Sequence, residues 1–336
     1  MLRGASSQVS PQLQPVPGRA SMLNRILQRI VLLIVTVIAT SSAIFVLLHA
    51  AGDPTQGFLP PGASPELRAQ VRARLGLDEP ILVQYVRFIG NGLRGDFGDS
   101  WRDRQPALQS VLDRLPATLL LALAAVVLAT LIGGAIAVLG VSVRVRSLRR
   151  VLNLIGLLGQ AIPSFWLGTL FILIFAVRLN WLPSSGNASW RSLILPALTL
   201  AAYPASMIAR LLQSSLLEAS AQSYVRTARS KGLHERVVWL RHALPNALLP
   251  TLGYVGIQLG FLVGGTVVVE SVFAYPGVGR LALQAASERD IPVVHAFAVV
   301  VAIAVVLIGS AIDLTAAALD PRLRDSERMA GMANHG

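Results

Sequence analysis

Long apolar runs separated by polar blocks dominate the pattern of this chain. The apolar runs occupy residues 26–48, 115–141, 151–177, 193–212, 248–269 and 296–317. About 20 residues with a rise of 1.5 Å each allow a helix to cross the ~30 Å hydrocarbon core of a bilayer. The sequence therefore predicts an all-α polytopic membrane protein with six transmembrane helices.

The polar blocks suggest how the chain is divided. Residues 1–21 are rich in Pro, Ser, Gln and Gly, which predicts a disordered N-terminal extension. Residues 22–113 combine the first transmembrane helix with a polar extracytoplasmic segment. Residues 114–318 hold the other five predicted helices and a polar loop at 215–247, and residues 319–336 form a predicted cytoplasmic tail.

Composition and charge fit a membrane protein. The chain is 54% hydrophobic and 14% charged, whereas a soluble domain carries about 25% charged residues. Its formal net charge of +12 would suit nucleic acid, but the basic residues stand beside apolar runs, as the positive-inside rule requires. By that rule Arg25, Arg29 and the basic loop at 144–150 are cytoplasmic, so both termini are predicted in the cytoplasm. We expect a lipid membrane as a partner and no nucleic acid.

The extracytoplasmic segment contains turn signals rather than catalytic groups. Residues 65–75 predict a short amphipathic helix that ends at Gly76. The spacing of the carboxylates in this segment matches no calcium-binding EF-hand loop. We expect turn and capping roles for Asp53, Asp78, Asp96 and Asp99.

Residue types needed for catalysis are absent from the sequence or scattered along it. There is no cysteine, and the only lysine, Lys231, lies between Ser230 and Gly232 rather than in a phosphate-binding loop. The five histidines form no metal-binding cluster in the sequence. We therefore predict no enzyme activity, no cofactor and no metal site, and any energy for pumping must come from another chain.

The polar loop at 215–247 is strongly basic and predicts two short helices. Ser220 or Ser223 is expected to cap the first helix, and Gly232 stands where a left-handed residue would end it. The second helix is expected to begin near residue 237. A helix this short is unstable alone, so we expect it to dock on a partner.

Two sequence motifs in this loop carry a family resemblance. The chain reads Tyr-Val-Arg-Thr-Ala-Arg-Ser-Lys-Gly over 224–232 and His-Ala-Leu-Pro-Asn over 242–246. This pattern resembles the cytoplasmic coupling loop of ABC-transporter permeases, most closely the dipeptide, oligopeptide and nickel importer branch. Arg-Thr-Ala at 226–228 replaces the general Glu-Ala-Ala, as it does in that branch. The resemblance implies that these residues contact an ATPase subunit: Tyr224, Arg226, Thr227, Ala228, Arg229, Lys231, Gly232, Leu233, His242, Leu244, Pro245 and Asn246.

Motifs outside the loop resemble the same branch and occur in the same order. They are Gly-Asp-Pro at 52–54, Leu-Gly-Leu-Asp at 75–78, Gln-Tyr at 84–85, Gly-Asp-Phe-Gly at 95–98, Glu-x-x-Phe-x-x-Pro-Gly-x-Gly at 270–279 and Arg-Asp-x-Pro at 289–292. The resemblance implies a type I ABC importer permease fold in the cytoplasmic (inner) membrane of a bacterium. It also implies a second homologous permease, two cytoplasmic ATPases that bind ATP-Mg, and an extracytoplasmic substrate-binding protein.

Residues inside or at the ends of the apolar runs suggest a path and a packing face. Proline within a span frees a backbone carbonyl, so the break near Pro163 should face protein or water. This residue, Phe165 and Trp166 either line the translocation path or form a packing kink, and Glu270 has either a structural role or a contact with solute. A stripe of small residues packs within the bundle or contacts the second permease: Gly256, Gly260 and Gly264.

The resemblance leads to a functional hypothesis with two alternatives. We expect a permease subunit of an ATP-driven importer that forms half of the translocation path for di- or oligopeptides. Permeases for nickel or other metal chelates and for glutathione belong to the same family and remain open. An ion-coupled secondary transporter is the alternative from another class, and it would need carboxylates near the membrane midplane, for which only Asp313 is a candidate.

Overall fold

The elements of the described part of the chain are all helices, and that part contains no β-strand. The computed structural model describes residues 22–50, 64–74, 77–142, 145–234 and 237–319. The expectations for residues 1–21, for the turn at 52–54 and for the tail beyond residue 319 lie outside the described residues.

The helices follow one another along the chain with short connections. The order is α1 (Met22–Ala50), α2 (Pro65–Arg74), α3 (Ile81–Arg94), α4 (Ala107–Leu112), α5 (Leu115–Ser142), α6 (Arg146–Ala161), α7 (Ser164–Phe171), a π-helix (Ile172–Arg178), a 3-10 turn (Trp190–Leu193), α8 (Ile194–Ala221), α9 (Ser223–Ser230), a second π-helix (Val238–Ala243), α10 (Leu244–Gly265), α11 (Val267–Val272), α12 (Val278–Ser287) and α13 (Ile291–Leu319). Helix α2 confirms a short helix within residues 65–75, while its predicted end at Gly76 lies outside the described residues. Helices α3 and α4 lie in the same polar segment, where no helix had been predicted.

Most of the predicted apolar runs form long helices. Within the described residues, five helices are long and apolar enough to cross a membrane: Leu27–Ala50, Ala107–Ser142, Trp190–Ala221, Arg241–Gly265 and Ile291–Ile312. They coincide with the first, second, fourth, fifth and sixth predicted runs. The all-α membrane architecture is therefore confirmed, while the count of six crossings and the side on which the termini lie stay predictions.

The third predicted run is broken where the sequence places a proline. Helix α6 ends at Ala161, and Ile162 and Pro163 are both extended, with ψ of 123° and 136°. A residue before proline avoids the helical region, and proline lacks the N–H that would continue the helix. The predicted break is confirmed. Helix α7 and the π-helix that continues it form an apolar piece of their own, Ser164–Arg178.

Helix α8 lies at the centre of the bundle because small residues let α5 and α6 approach it closely. A side-chain carbon added at Gly133 of α5 would overlap the carbonyl of Ala205, and one at Gly159 of α6 would overlap the Ser206 hydroxyl. Any larger residue at these glycines would push the helices apart.

The buried core runs along α5 and α8 from one end of the bundle, past Ala129 and Ile208, to the other. At one end, Leu121 of α5, Leu195 of α8 and Phe273 after α11 pack together. At the other end, Ala137 of α5 and Leu216 of α8 pack against the start of α10. The first cluster lies at the predicted extracytoplasmic end and the second beside the predicted coupling loop, so residues predicted for one membrane side share one end of the fold.

Candidate functional site

The first candidate site is α9, which packs on the bundle through one face. Val225 and Ala228 of α9 are 1% and 5% exposed and contact Val238, which is fully buried. Residues three apart share one face of a helix. The inward face therefore docks α9 on the helix that leads into α10. Ala228 contributes to this packing, so its predicted contact with an ATPase would have to be indirect.

The opposite face of α9 and the turn after it are exposed. Tyr224 is 39% exposed and Leu233 is 41% exposed. Between them the exposed side chains are polar or basic: Arg226, Thr227, Arg229, Ser230 and Lys231. The Arg229 guanidinium lies 3.5 Å from the Ser220 carbonyl, across the junction between α8 and α9. The surface thus combines positive charge with two large side chains, as a docking surface for another protein would.

The break after α9 has the geometry expected from the sequence, but the cap before it does not. Gly232 has a φ of +74°, and its N–H donates to the Arg229 carbonyl at 2.9 Å. Gln222 is the N-cap residue and makes no side-chain cap bond, while Ser223 is already helical and the Ser220 hydroxyl donates to the Leu217 carbonyl. The capping prediction is therefore wrong, because extended backbone at Gln222 alone turns the chain.

The second half of the loop forms one continuous helix with α10 rather than a separate short helix. The π-helix Val238–Ala243 runs directly into α10. Ala243 is buried against α8, His242 and Leu244 are half-buried, and Pro245 and Asn246 are exposed. The Asn246 amide donates to the His242 carbonyl at 2.9 Å. The second half of the loop is therefore continuous with the long helix α10.

The residues predicted for the translocation path lie in different environments. Phe165 and Trp166 of α7 are 55% and 49% exposed, and Pro163 is exposed as well. Gly168 faces the bundle instead, close to the Phe273 ring. The exposed aromatic pair is compatible with a path, and that role stays a prediction.

Glu270 does not line an open path, because it is fully buried. Its Oε1 accepts hydrogen bonds from the hydroxyls of Thr118 at 2.7 Å and Thr266 at 2.8 Å, and its Oε2 accepts from the Arg280 N–H at 2.9 Å. Thr118 in turn accepts from the Val278 N–H at 2.9 Å. The side chain therefore joins α5, the end of α10 and the start of α12, and the structural alternative accounts for it.

The Pro-Gly-x-Gly motif follows from the position of this carboxylate. A side-chain carbon at Gly277 would overlap the carboxyl group of Glu270, and one at Gly279 would lie 3.0 Å from its Oε2. Helix α12 begins there, and Glu270 and Thr118 accept from N–H groups in its first turn. The Glu270 carboxylate also places negative charge at the helix N-terminus. A remote carboxylate thus caps α12 in place of a local N-cap side chain.

The predicted glycine stripe on α10 faces α13 of the same chain. A side-chain carbon at Gly256 would overlap the Ile312 side chain. One at Gly260 would lie 3.9 Å from the Val305 side chain, and one at Gly264 would lie 3.9 Å from that of Val301. Packing within the bundle, which the sequence left open, accounts for this stripe. A contact of the stripe with a second permease would therefore require α13 to move away from it.

Interactions at the predicted extracytoplasmic end connect residues far apart in sequence. The Asp96 carboxylate accepts from the Gly98 N–H at 3.1 Å, which agrees with its predicted turn role. Ser100 donates to Asp290 at 2.5 Å, and Arg102 pairs with Glu288 at 2.5 Å. The segment before α4 is thereby fastened to the end of α12. Sequence reasoning found the motifs but not this pairing.

A buried histidine was also missed. His295 of α13 is 3% exposed, stacks on the Phe88 ring at 4.1 Å and lies 2.8 Å from the Ser41 hydroxyl. It joins α1, α3 and α13. Its place immediately before the predicted run 296–317 gave no signal of these contacts.

Comparison with known families explains why these motifs occur in one chain. The family described as binding-protein-dependent transport system inner membrane component matches residues 125–325, and its N-terminal counterpart matches residues 22–122. The chain belongs to this family of bacterial inner membrane permeases. It is therefore a multi-pass permease component of an ABC importer, as the resemblance predicted.

The relatives of this permease include glutathione permeases that match over almost their whole length. It is 40% identical over 304 residues to the glutathione transport system permease protein GsiC of Salmonella paratyphi A, covering 90% of this chain and 99% of that protein. The identity to GsiC of Escherichia coli strain K12 is 38% over the same coverage.

Solved structures share the fold at low sequence identity. The MetNI methionine ABC transporter in an inward-facing conformation matches with a TM-score of 0.55 and 22% identity, covering 63% of this chain and 97% of that one. An amino acid ABC transporter with histidines matches with a TM-score of 0.51 and 17% identity, covering 63% and 94%. These likenesses support the permease fold.

Proposed function

We propose that this permease forms half of the path for short peptides in an ATP-driven importer, with glutathione as the first substrate to test. The observation that carries the proposal is the 40% identity to a glutathione permease over 99% of that protein's length. Glutathione is itself a small peptide, so this assignment narrows the broader peptide hypothesis. In this scheme a second permease completes the path, and a binding protein delivers the solute.

The proposed energy input enters through α9. Its exposed basic face would dock on an ATPase subunit, while its buried face rests on the helix that leads into α10. Only one residue, Gln222, separates the end of α8 from the start of α9. A displacement of α9 would therefore reach α8 and α10 together, and both helices run the length of the bundle. Such a linkage suits a bundle that alternates between two states.

Gly232 offers a test of this coupling with a matched control. Its left-handed backbone has open space around it, so Gly232→Val should strain the turn after α9 without a clash. Gly186 has a similar φ of +80° and also has open space around it, but lies in the loop between α7 and α8. We expect Gly232→Val, and the charge reversal Arg229→Glu, to abolish ATP-driven uptake in assembled complexes, whereas Gly186→Val retains it. Normal uptake by both loop variants would contradict the coupling role.

Substrate identity requires a transport measurement with the complete complex. Proteoliposomes with the ATPases and the binding protein should accumulate radiolabelled glutathione only when ATP is supplied. An excess of unlabelled dipeptide or of a nickel chelate should compete less well than unlabelled glutathione. ATP-dependent uptake of nickel chelate without glutathione uptake would reassign the substrate. Uptake driven by an ion gradient without ATP would favour a secondary transporter.

A further inference from the structure

Helix α3 (Ile81–Arg94) has three distinct sides, and the first is fixed on the bundle. Tyr85, Phe88 and Gly92 follow one another at spacings of three and four residues, which places them on one side of the helix. The Tyr85 hydroxyl lies 2.7 Å from the Ser42 hydroxyl of α1. The Phe88 ring stacks on His295 of α13 at 4.1 Å. This side therefore holds α3 against both α1 and α13.

The second side of α3 is apolar and exposed. Leu82, Val86 and Leu93 are 69%, 62% and 49% exposed. Their spacings of four and seven residues place them on one stripe beside the inward side. The described part of the chain therefore leaves this stripe largely uncovered. A continuous apolar stripe on a helix that is otherwise well packed indicates contact with an apolar partner.

The third side of α3 is polar and is partly covered by the turn that precedes the helix. The Arg87 guanidinium donates to the Glu79 carboxylate at 2.8 Å, and the Gln84 amide donates to the Glu79 carbonyl at 2.8 Å. Arg94 extends this side to the end of the helix and is exposed. Separation of an apolar stripe from a charged side is the pattern of a helix that lies in a membrane interface.

The depth of α3 in the membrane can be measured along α1. Arg29 is predicted to lie on the cytoplasmic side, so the hydrocarbon core is expected to begin near it. About 20 residues at a rise of 1.5 Å each cross a core of ~30 Å and reach residue 49. The Phe45 ring, four residues before this point, lies 5.6 Å from the Phe88 ring of α3. By this measure Phe88 lies about 6 Å inside the outer boundary of the core.

Helix α13 gives a second, independent measure of the depth. Its apolar stretch Ile291–Ile312 has 22 residues and stands between Asp290 and Asp313 in the sequence. A carboxylate is costly inside the hydrocarbon core, so Asp290 marks the outer boundary. His295, which stacks on Phe88, is five residues or about 7–8 Å inside this boundary. The two measures place the middle of α3 about 6–8 Å deep, within the roughly 5–10 Å typical of interfacial helices.

We propose that α3 is embedded in the outer leaflet of the membrane, with Leu82, Val86 and Leu93 in contact with lipid acyl chains. Arg87 and Arg94 then lie toward the headgroup phosphates and water. The embedded helix anchors the segment that leads to α4 and holds α1 beside α13. The inference goes beyond the transport role and does not depend on which solute is carried.

Lipid fits the stripe better than a soluble protein does. A binding protein docks from the aqueous side, whereas the stripe lies below the boundary of the hydrocarbon core. The apolar surface also continues onto α1, where Val46 beside Phe45 is 63% exposed. In a chain that spans the membrane, such a continuous apolar surface at this depth meets acyl chains.

The first test uses the absence of cysteine from the sequence. Val86→Cys introduces a single thiol on the stripe, and Asp99→Cys introduces one at an exposed position after α3. Each variant is labelled with bimane and assembled with cysteine-free partner subunits in nanodiscs. We expect lipids that carry a nitroxide on the acyl chain to quench the label at position 86 at least fivefold more strongly than the label at position 99. Aqueous iodide should show the opposite preference.

Three results of this test would overturn the inference. Equal quenching of both labels by iodide would place the stripe in water. If neither quencher reaches the label at position 86, the second permease covers the stripe. Loss of the lipid quenching when the binding protein docks would make that protein the partner instead.

The second test asks whether α3 depends on the lipid contact. Val86→Glu places a charge on the stripe, while Val86→Leu keeps the position apolar and serves as the control. A charge is costly in lipid at this depth but would be tolerated in water. By mass spectrometry in nanodiscs, we expect the backbone amides of α3 to exchange hydrogen at least tenfold faster in Val86→Glu than in Val86→Leu, with the amides of α8 unchanged. Equal exchange of the α3 amides in the two variants would contradict the embedding.

Discussion

The buried carboxylate that caps α12 gives the sharpest stability prediction. Glu270→Gln preserves the size of the side chain and replaces one oxygen with an NH₂ group. The remaining oxygen can still accept from the two threonine hydroxyls on Oε1. The NH₂ group then faces the Arg280 N–H, so a 2.9 Å hydrogen bond becomes a contact between two donors. The substitution therefore removes one bond and the negative charge at the helix N-terminus.

The magnitude follows from these contacts. Loss of one hydrogen bond to a charged group costs about 1.5–3 kcal/mol. The two remaining bonds lose their charge assistance, and charge-assisted bonds are roughly twice as strong as neutral ones. We expect a total loss of about 3 kcal/mol, or roughly a hundredfold in the unfolding equilibrium constant. Full burial of Glu270 means that water cannot replace the lost donor or acceptor.

The assay is denaturant unfolding of the purified permease in detergent, followed by tryptophan fluorescence. Glu218→Gln is the control, because Glu218 is exposed on α8 and has one weak contact with Ser214 at 3.4 Å. We expect the control to lie within about 0.5 kcal/mol of wild type. If Glu270→Gln unfolds at the same denaturant concentration as the control, the capping argument is refuted.

Two further predictions concern the same end of the bundle. Gly277→Ala should prevent stable folding because its methyl group would overlap the buried carboxylate, whereas Gly253→Ala enters open space; equal yields of monodisperse protein from both variants would contradict this. Burial, and to a lesser extent the neighbouring carboxylate, raises the pKa of the Tyr275 phenol above its usual value. Because its folded-state pKa is raised, the protonated phenol contributes fully to the free energy of unfolding below about pH 10. This contribution is lost as the pH rises through the folded-state pKa. Tyr275→Phe should remove that alkaline decline in the free energy of unfolding. If the variant instead shows the same decline as wild type, Tyr275 is not its cause.

Local rules predicted much of the coupling loop. Gly232 ends α9 in the left-handed conformation because no other residue type adopts it as readily. The same rules missed how the loop attaches to the bundle. Ala228 lies inward only because Val238, on the other side of the turn, is buried against it. The serine cap failed because extended backbone at Gln222 provides the change of direction by itself.

Polar residues near the ends of spans were harder to interpret from the sequence. Glu270 had two possible roles, and the choice depends on Thr118, which lies 152 positions away. Asp290 depends in the same way on Ser100, 190 positions away. No periodicity connects residues at such separations, since periodicity reports only which face of one helix a residue occupies.

The sequence by itself determined the class of protein, the long helices, the break at Pro163 and the position of the basic loop. These features follow from the length of apolar runs, from proline and glycine backbone preferences and from the distribution of arginine, all of which act locally. The tertiary structure decided that the stripe from Gly256 to Gly264 faces α13, that Glu270 caps α12 and that Asp290 accepts a hydrogen bond from Ser100. Each of these results depends on which helices become neighbours, and that is fixed by packing of the whole bundle rather than by any single segment.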